Sequence, residues 1–276
     1  MIKKLNNKKA PLFIIKEFLA FIRVKNCILS TGAGVSGYLL FNPLSSTLFF
    51  LFLAIFFTTA VAYSYSLFTD WKEDKINNGR LNVFVTNGKG RSIAVIMLFL
   101  GIFFSLFLPL ITLLLFLIMI PFTITYSRFR LKRIFIVKNL YTGLGFGLTF
   151  IIGASTKGIL TYEMLYTSLL VFPIACGGNM IGDMMGYKGD LAAGVRTLPV
   201  VVGLDAAKRF VELMLLGFSI SILISRDYLL YPLAPFGLMG SFFLAMDRKM
   251  AARVCMLTSF AAYSVFLLIK AIGGGG

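Results

Sequence analysis

Long apolar runs separated by short polar breaks dominate the chain. Apolar stretches near 26–42, 46–69, 92–108, 110–127, 138–156, 162–182, 206–224, 228–246 and 250–271 are each close to the ~20 residues that a helix needs to cross a ~30 Å hydrocarbon core. The pattern predicts an all-α integral membrane protein with nine transmembrane helices. Ahead of them, residues 11–23 alternate apolar and charged positions at helical spacing, so an amphipathic interfacial helix is expected inside a polar, cytoplasmic amino-terminal segment, residues 1–25. Pro109 is what divides the third span from the fourth; without it the two would read as one run.

Composition agrees with this pattern. Of 276 residues, 58% are hydrophobic and 14% charged, with mean hydropathy +0.89, leaving no stretch for a separate soluble domain. One membrane domain, 1–276, is expected, with Gly273–Gly276 read as an appended tail. The start of the chain (MIKKLNNKK) is basic and polar rather than a cleavable apolar leader.

Charge orients the bundle. Of the 27 Lys and Arg, only Lys157, Arg226 and Lys270 fall on the side opposite the amino terminus. Cytoplasmic loops carry such an excess, so the amino terminus and the longer loops are expected on the cytoplasmic face of the cell membrane. The net charge of +16 is thereby explained by topology and by attraction to membrane lipids, and no nucleic-acid partner is expected. With no histidine, imidazole catalysis and His-ligated metals are excluded, and Cys27, Cys176 and Cys255, far apart in apolar surroundings, suggest neither a zinc site nor a disulfide framework. Any general base or metal ligand must be a carboxylate, a hydroxyl or a backbone oxygen.

Two inner connections, 70–91 and 183–205, are longer than their task requires and hold most of the acidic residues. In the first, Asp70 and Asp74 stand at i and i+4 directly after the second span, on one helical face if the helix continues. Two like charges that close call for a compensating cation, and Mg²⁺ takes carboxylates while leaving positions for phosphate oxygens. In the second, Asn179, Asp183 and Asp190 are spaced by four and seven, again one face of a continuing helix. Seven residues of rise is about 10.5 Å, too far for Asp183 and Asp190 to chelate the same small ion. Two acidic clusters at the inner ends of two spans suggest a pocket for a polyanion held through metal ions, with Arg80 and Arg196 as further clamps. A transporter and a non-catalytic membrane scaffold remain as other classes, although the spans themselves carry few of the charges that ion pathways need.

Four stretches resemble the UbiA superfamily of intramembrane prenyltransferases. "SLFTDWKED" (66–74) is similar to its first acidic motif, keeping Asp70 and Asp74 and offering Ser66 and Leu67 where the motif has Asn and Asp. "DMMGYKGDLAAGVRTLP" (183–199) is similar to the second, keeping Asp183, Asp190, Gly194 and the closing TLP, with Gly186 at the middle Asp. "RVKNC" (23–27) and "YSRFRLKRIFIVKN" (126–139) match the segments that open the first span and join the fourth to the fifth. The second acidic motif is most similar to the archaeal branch that builds ether lipids.

The resemblance implies a nine-helix bundle and Mg²⁺-dependent transfer of a polyprenyl group from an isoprenyl diphosphate donor to a lipid acceptor, geranylgeranylglyceryl phosphate in that branch. An aromatic quinone precursor is the alternative acceptor. It also implies roles: Asp70, Asp74, Asp183 and Asp190 as metal ligands; Lys132, Arg80 and Arg196 on the phosphates; Tyr126 beside the allylic cation; Arg23 and Asn26 on the acceptor's head group; Ser66, Asn139 and Asn179 as further substrate contacts.

Overall fold

The computed structural model describes residues 10–69, 71 and 81–273, and among these there is no β-strand. Helix α1 (Ala10–Phe21) is the amphipathic segment. It is followed by α2 (Val24–Phe41), α3 (Thr47–Thr69), the single turn α4 (Val83–Thr86), α5 (Lys89–Ser105), α6 (Leu110–Arg128), α7 (Val137–Ala154), α8 (Tyr162–Ala192), the short α9 (Leu198–Val202), α10 (Leu204–Ile224), α11 (Ala234–Ala245) and α12 (Lys249–Gly273).

Each expected span holds a helix, but only α3, α6, α8 and α12 are both long and apolar enough to cross a membrane by length and composition. The others fall short for identifiable reasons. Helix α2 reads VKNCILSTGAGVSGYLLF, and its small and hydroxyl residues lower its hydropathy because they face protein on three sides, against α3, α7 and α12. The span expected at 228–246 is shorter still: a 3₁₀ turn, Tyr231–Leu233, precedes the 12-residue α11, whose rise of about 18 Å is well under the hydrocarbon thickness. Pro109 does separate α5 from α6, standing as the N-cap of α6.

The helices close on one another through α2, α7, α8 and α12, which make the central seams. Where α2 crosses α7, the backbones touch. A Cβ added to Gly153 would sit 1.8 Å from the Gly34 carbonyl oxygen, and one added to Gly37 would sit 2.1 Å from that of Phe150, so no side chain larger than hydrogen fits. This small-residue packing is how helices associate in lipid, where burying apolar side chains gains little. Along α2 and α12, Ser36 Oγ meets Ser264 Oγ at 3.0 Å and the Ser264 hydroxyl donates to Gly32 O at 2.9 Å, locking two helices that run in the same direction.

A second, smaller apolar cluster forms around Phe21, Cys27, Val61 and Met97, with Phe68 and Phe84 packed against it. It fastens α1 to α4. Glu17, buried on α1, accepts from the Val83 N–H at 3.2 Å, and Asn82 donates from its side chain to the Glu17 carbonyl at 2.9 Å while capping Phe84 N. A carboxylate suits the start of a helix, where N–H groups lack partners.

The second long inner connection is shorter than the sequence suggests. Helix α8 runs on to Ala192, 31 residues or about 46 Å, well past the bilayer thickness, so Asp183 and Asp190 lie on helix rather than loop.

Candidate functional site

The end of α8 explains much of the second acidic motif. Gly194, with φ +65°, takes the left-handed conformation that glycine adopts most cheaply, and its N–H returns to Leu191 O at 3.2 Å. The Val195 N–H bonds to Asp190 O at 2.9 Å, completing a Schellman stop. Thr197 then stands at the N-cap of α9, with Leu198 and Pro199 opening that helix. The glycine and the TLP therefore terminate one helix and start the next, and they hold Asp190 in the last ordered turns before the stop.

Asp190 faces a cavity of about 380 Å³ among α2, α3, α6, α7, α8 and α12. Around it the structure gathers many of the expected residues: Arg23 and Asn26 from the start of α2, Ser66 from α3, Tyr126 from α6, Asn179 and Asp190 from α8. Asn139 stands just behind, buried, and accepts from the Asn179 amide at 2.6 Å. That amide also reaches Thr142 Oγ1 at 3.4 Å.

Asp183 is placed differently from Asp190. It is 3% exposed, does not line the cavity, and accepts a hydrogen bond and ion pair from Lys138 on α7, which does line it. Its other oxygen, Oδ2, is buried with no partner. Arg196 is exposed in the connection after α8 and away from the cavity wall. Asp70, Asp74 and Arg80 lie outside the described residues, as does the side chain of Lys132.

Sequence reasoning missed three features. Lys138 and Arg253 both line the cavity, yet each is a basic residue near the inner start of a span, where positive charge is expected for orientation alone. The third is a stack of rings. Tyr141 lies 3.9 Å from Phe122 and 5.6 Å from Tyr126, centroid to centroid, with its hydroxyl donating to Phe122 O at 2.6 Å. Phe122 and Tyr141 are nineteen residues apart and on two different helices, so no local spacing announces the pair. Met119 and Phe146 continue this wall as an apolar surface.

The lining thus combines carboxylate, amide, guanidinium, ammonium and hydroxyl groups with rings and aliphatic groups. Such a space suits a molecule with an anionic head and an apolar tail.

The UbiA prenyltransferase family profile matches residues 27–253, more than four-fifths of the chain and the whole wall of this cavity apart from Arg23 and Asn26. The chain belongs to the UbiA prenyltransferase family. It is a prenyltransferase of a multi-pass membrane class. Curated relatives named digeranylgeranylglyceryl phosphate synthase, from Pyrococcus horikoshii and Methanocaldococcus jannaschii, are each 26% identical, over 194 and 202 residues, covering 68% of this chain and 69% and 68% of theirs. Among solved structures, a UbiA homologue from Archaeoglobus fulgidus bound to DMAPP and Mg²⁺ superposes with a TM-score of 0.75 at 16% identity, over 93% of this chain and 98% of that one. A digeranylgeranylglyceryl phosphate synthase structure gives 0.65 at 21% identity, over 94% and 99%. At those identities the structural likeness speaks for the UbiA fold.

Proposed function

We propose that the protein transfers a polyprenyl group from an isoprenyl diphosphate to a phosphorylated lipid acceptor of the geranylgeranylglyceryl phosphate type, from the cytoplasmic face of the cell membrane, with all nine long or shortened apolar helices embedded in the bilayer. The observation that carries it is that Asp190, Asn179 and Lys138 share the wall of one cavity with the rings of Phe122, Tyr126 and Tyr141.

The residues fit Mg²⁺. The cavity offers a carboxylate at Asp190, a second acid behind it keeps one unpartnered oxygen, and both are the hard donors that this ion takes. Asp190 would hold an ion at the cavity wall, with Asp183, Asp70 and Asp74 as the further carboxylates that the family resemblance implies for such ions. When bound, it neutralises the charge that gathers on the departing diphosphate.

The side chains supply the rest. Lys138, held by Asp183, points a fixed ammonium into the cavity, where its charge favours the leaving group more than the intact donor. Asn179 donates its amide hydrogens to Asn139 and Thr142, which leaves its carbonyl oxygen as a neutral acceptor on the cavity wall. The Phe122–Tyr141–Tyr126 stack lends its π faces to the allylic carbon as positive charge develops there. The acceptor's hydroxyl oxygen forms the new ether bond to that carbon as its bond to the diphosphate oxygen breaks, and the hydroxyl proton passes to the departing diphosphate.

Purified protein given labelled geranylgeranyl diphosphate and Mg²⁺ tests this directly. Transfer to geranylgeranylglyceryl phosphate, lost in Asp190→Ala, is the expected result. Transfer only to 4-hydroxybenzoate would move the protein to the aromatic branch, and release of diphosphate with neither acceptor alkylated would refute the reading.

A further inference from the structure

Arg253 has no role in the site as drawn so far. It lies in the second turn of α12, lines the cavity, and among the described residues makes no ion pair or hydrogen bond. A guanidinium half-buried beside apolar helices without a partner is costly, so its position asks for an anion.

Its neighbours are set by the two serine contacts between α2 and α12. Ser36 pairs with Ser264, and Gly32 with Phe260, a constant offset of 228 residues between helices running in the same direction. The same register places Arg253 level with Lys25, next to Asn26 and within one turn of Arg23. On its other side is α8. There Gly182 presents bare backbone, and a Cβ added to it would lie 3.5 Å from the Arg253 guanidinium carbon. Any larger residue would press against that guanidinium.

Arg23 reaches the same corner from a strained start. Its φ of +49° is a left-handed conformation, which costs a non-glycine residue of order 1 kcal/mol, and it separates α1 from α2 while leaving the side chain in the cavity wall. Arg23, Asn26 and Arg253 thus all line the one cavity, from the starts of α2 and α12. The carboxylate of the wall, Asp190, reaches back along α8 to Gly186, where a Cβ would lie 3.8 Å from its Oδ2, one turn beyond Gly182.

We infer that Arg253, with Arg23 and Asn26 on the same cavity wall, takes the phosphate monoester of the acceptor. This rests on the transfer reading above. A diphosphate bound through divalent ions has its charge met by them, whereas the acceptor's phosphate must find cations in the protein. Two planar forks and an amide match a phosphate dianion, with more oxygens and more charge than a carboxylate presents. Arg253 is then a specificity residue. It lets the enzyme tell a phosphorylated acceptor from its dephosphorylated alcohol.

The test compares geranylgeranylglyceryl phosphate with geranylgeranylglycerol on wild type, Arg253→Gln and Arg253→Lys in lipid nanodiscs, by steady-state transfer and by ligand-induced thermal stabilisation. In Arg253→Gln the KM for the phosphorylated acceptor is expected to rise about 10- to 100-fold, the range for loss of a charge-assisted hydrogen bond. Its preference over the alcohol should collapse, and Arg253→Lys should lie between, keeping charge without the fork.

Three results would overturn the inference. Retention of the phosphate preference in Arg253→Gln would do so while leaving the transfer reading intact. An equal rise in donor KM would assign Arg253 to the diphosphate instead. A wild-type protein stabilised equally by both acceptors would show that no such phosphate site exists, whatever its transfer activity.

Discussion

Replacing Lys138 by methionine removes the ion-pair partner of Asp183 while keeping side-chain length. The two members are not equally protected: Asp183 is 3% exposed and Lys138 18%. Without Lys138 the carboxylate stays buried with both oxygens unpaired, since Oδ2 has no partner even in the intact protein. Removing one partner of a buried pair costs about 3–5 kcal/mol, which corresponds to a melting point lower by about 6–20 °C in a chain of this size. Asp183→Asn should cost less, about 1–3 kcal/mol, because the orphaned ammonium can still reach the cavity. The double variant Lys138→Met with Asp183→Leu should recover most of the loss, because an apolar pair has no charge to strand. The three cysteines give a ready assay. Cys27, Cys176 and Cys255 are all free and buried, so a maleimide dye that fluoresces on reaction reports unfolding of the bundle. If Lys138→Met melts within about 2 °C of wild type, or the double variant melts as low as the two singles combined, the pair is not what holds this corner.

Asp190→Asn should lower the single-turnover rate of diphosphate release about 100- to 1000-fold with little change in melting point, as loss of one group stabilising developing charge does. Chelation of divalent ions should abolish transfer and added Mg²⁺ should restore it; full activity in excess EDTA would contradict the metal assignment. Gly153→Ala places a methyl onto the Gly34 carbonyl, and a loss of about 3 kcal/mol is expected by thermal melting, since backbone cannot step aside as a side chain would. Glu17→Gln weakens the cap on α4 by about 1–2 kcal/mol, seen as amide exchange at residues 83–86 accelerated about 5- to 30-fold, with the α2–α7 seam unaffected.

Hydropathy alone located every long helix and the break at Pro109, because a run of about twenty apolar residues has few other uses. It also overestimated the span at 228–246, where apolar residues occupy a 3₁₀ turn and a loop as well as α11. The spacing of Asn179, Asp183 and Asp190 correctly implied one helix face, but not that the helix would continue to Ala192. Neither could spacing separate Asp190, open to the cavity, from Asp183, seven residues earlier and sealed by Lys138. That difference is made by a neighbouring helix, so it has no local signature. Lys138 and Arg253 were hidden for another reason: membrane topology already accounts for basic residues at inner helix ends, and a functional cation there looks like one more orientation charge.

The glycine seam between α2 and α7 has a consequence for redesign. Because two main chains rest directly on each other, the distance between those helices is fixed by peptide geometry and does not depend on what fills the chamber they border. The frame at that seam can therefore keep its shape while the lining beside it changes.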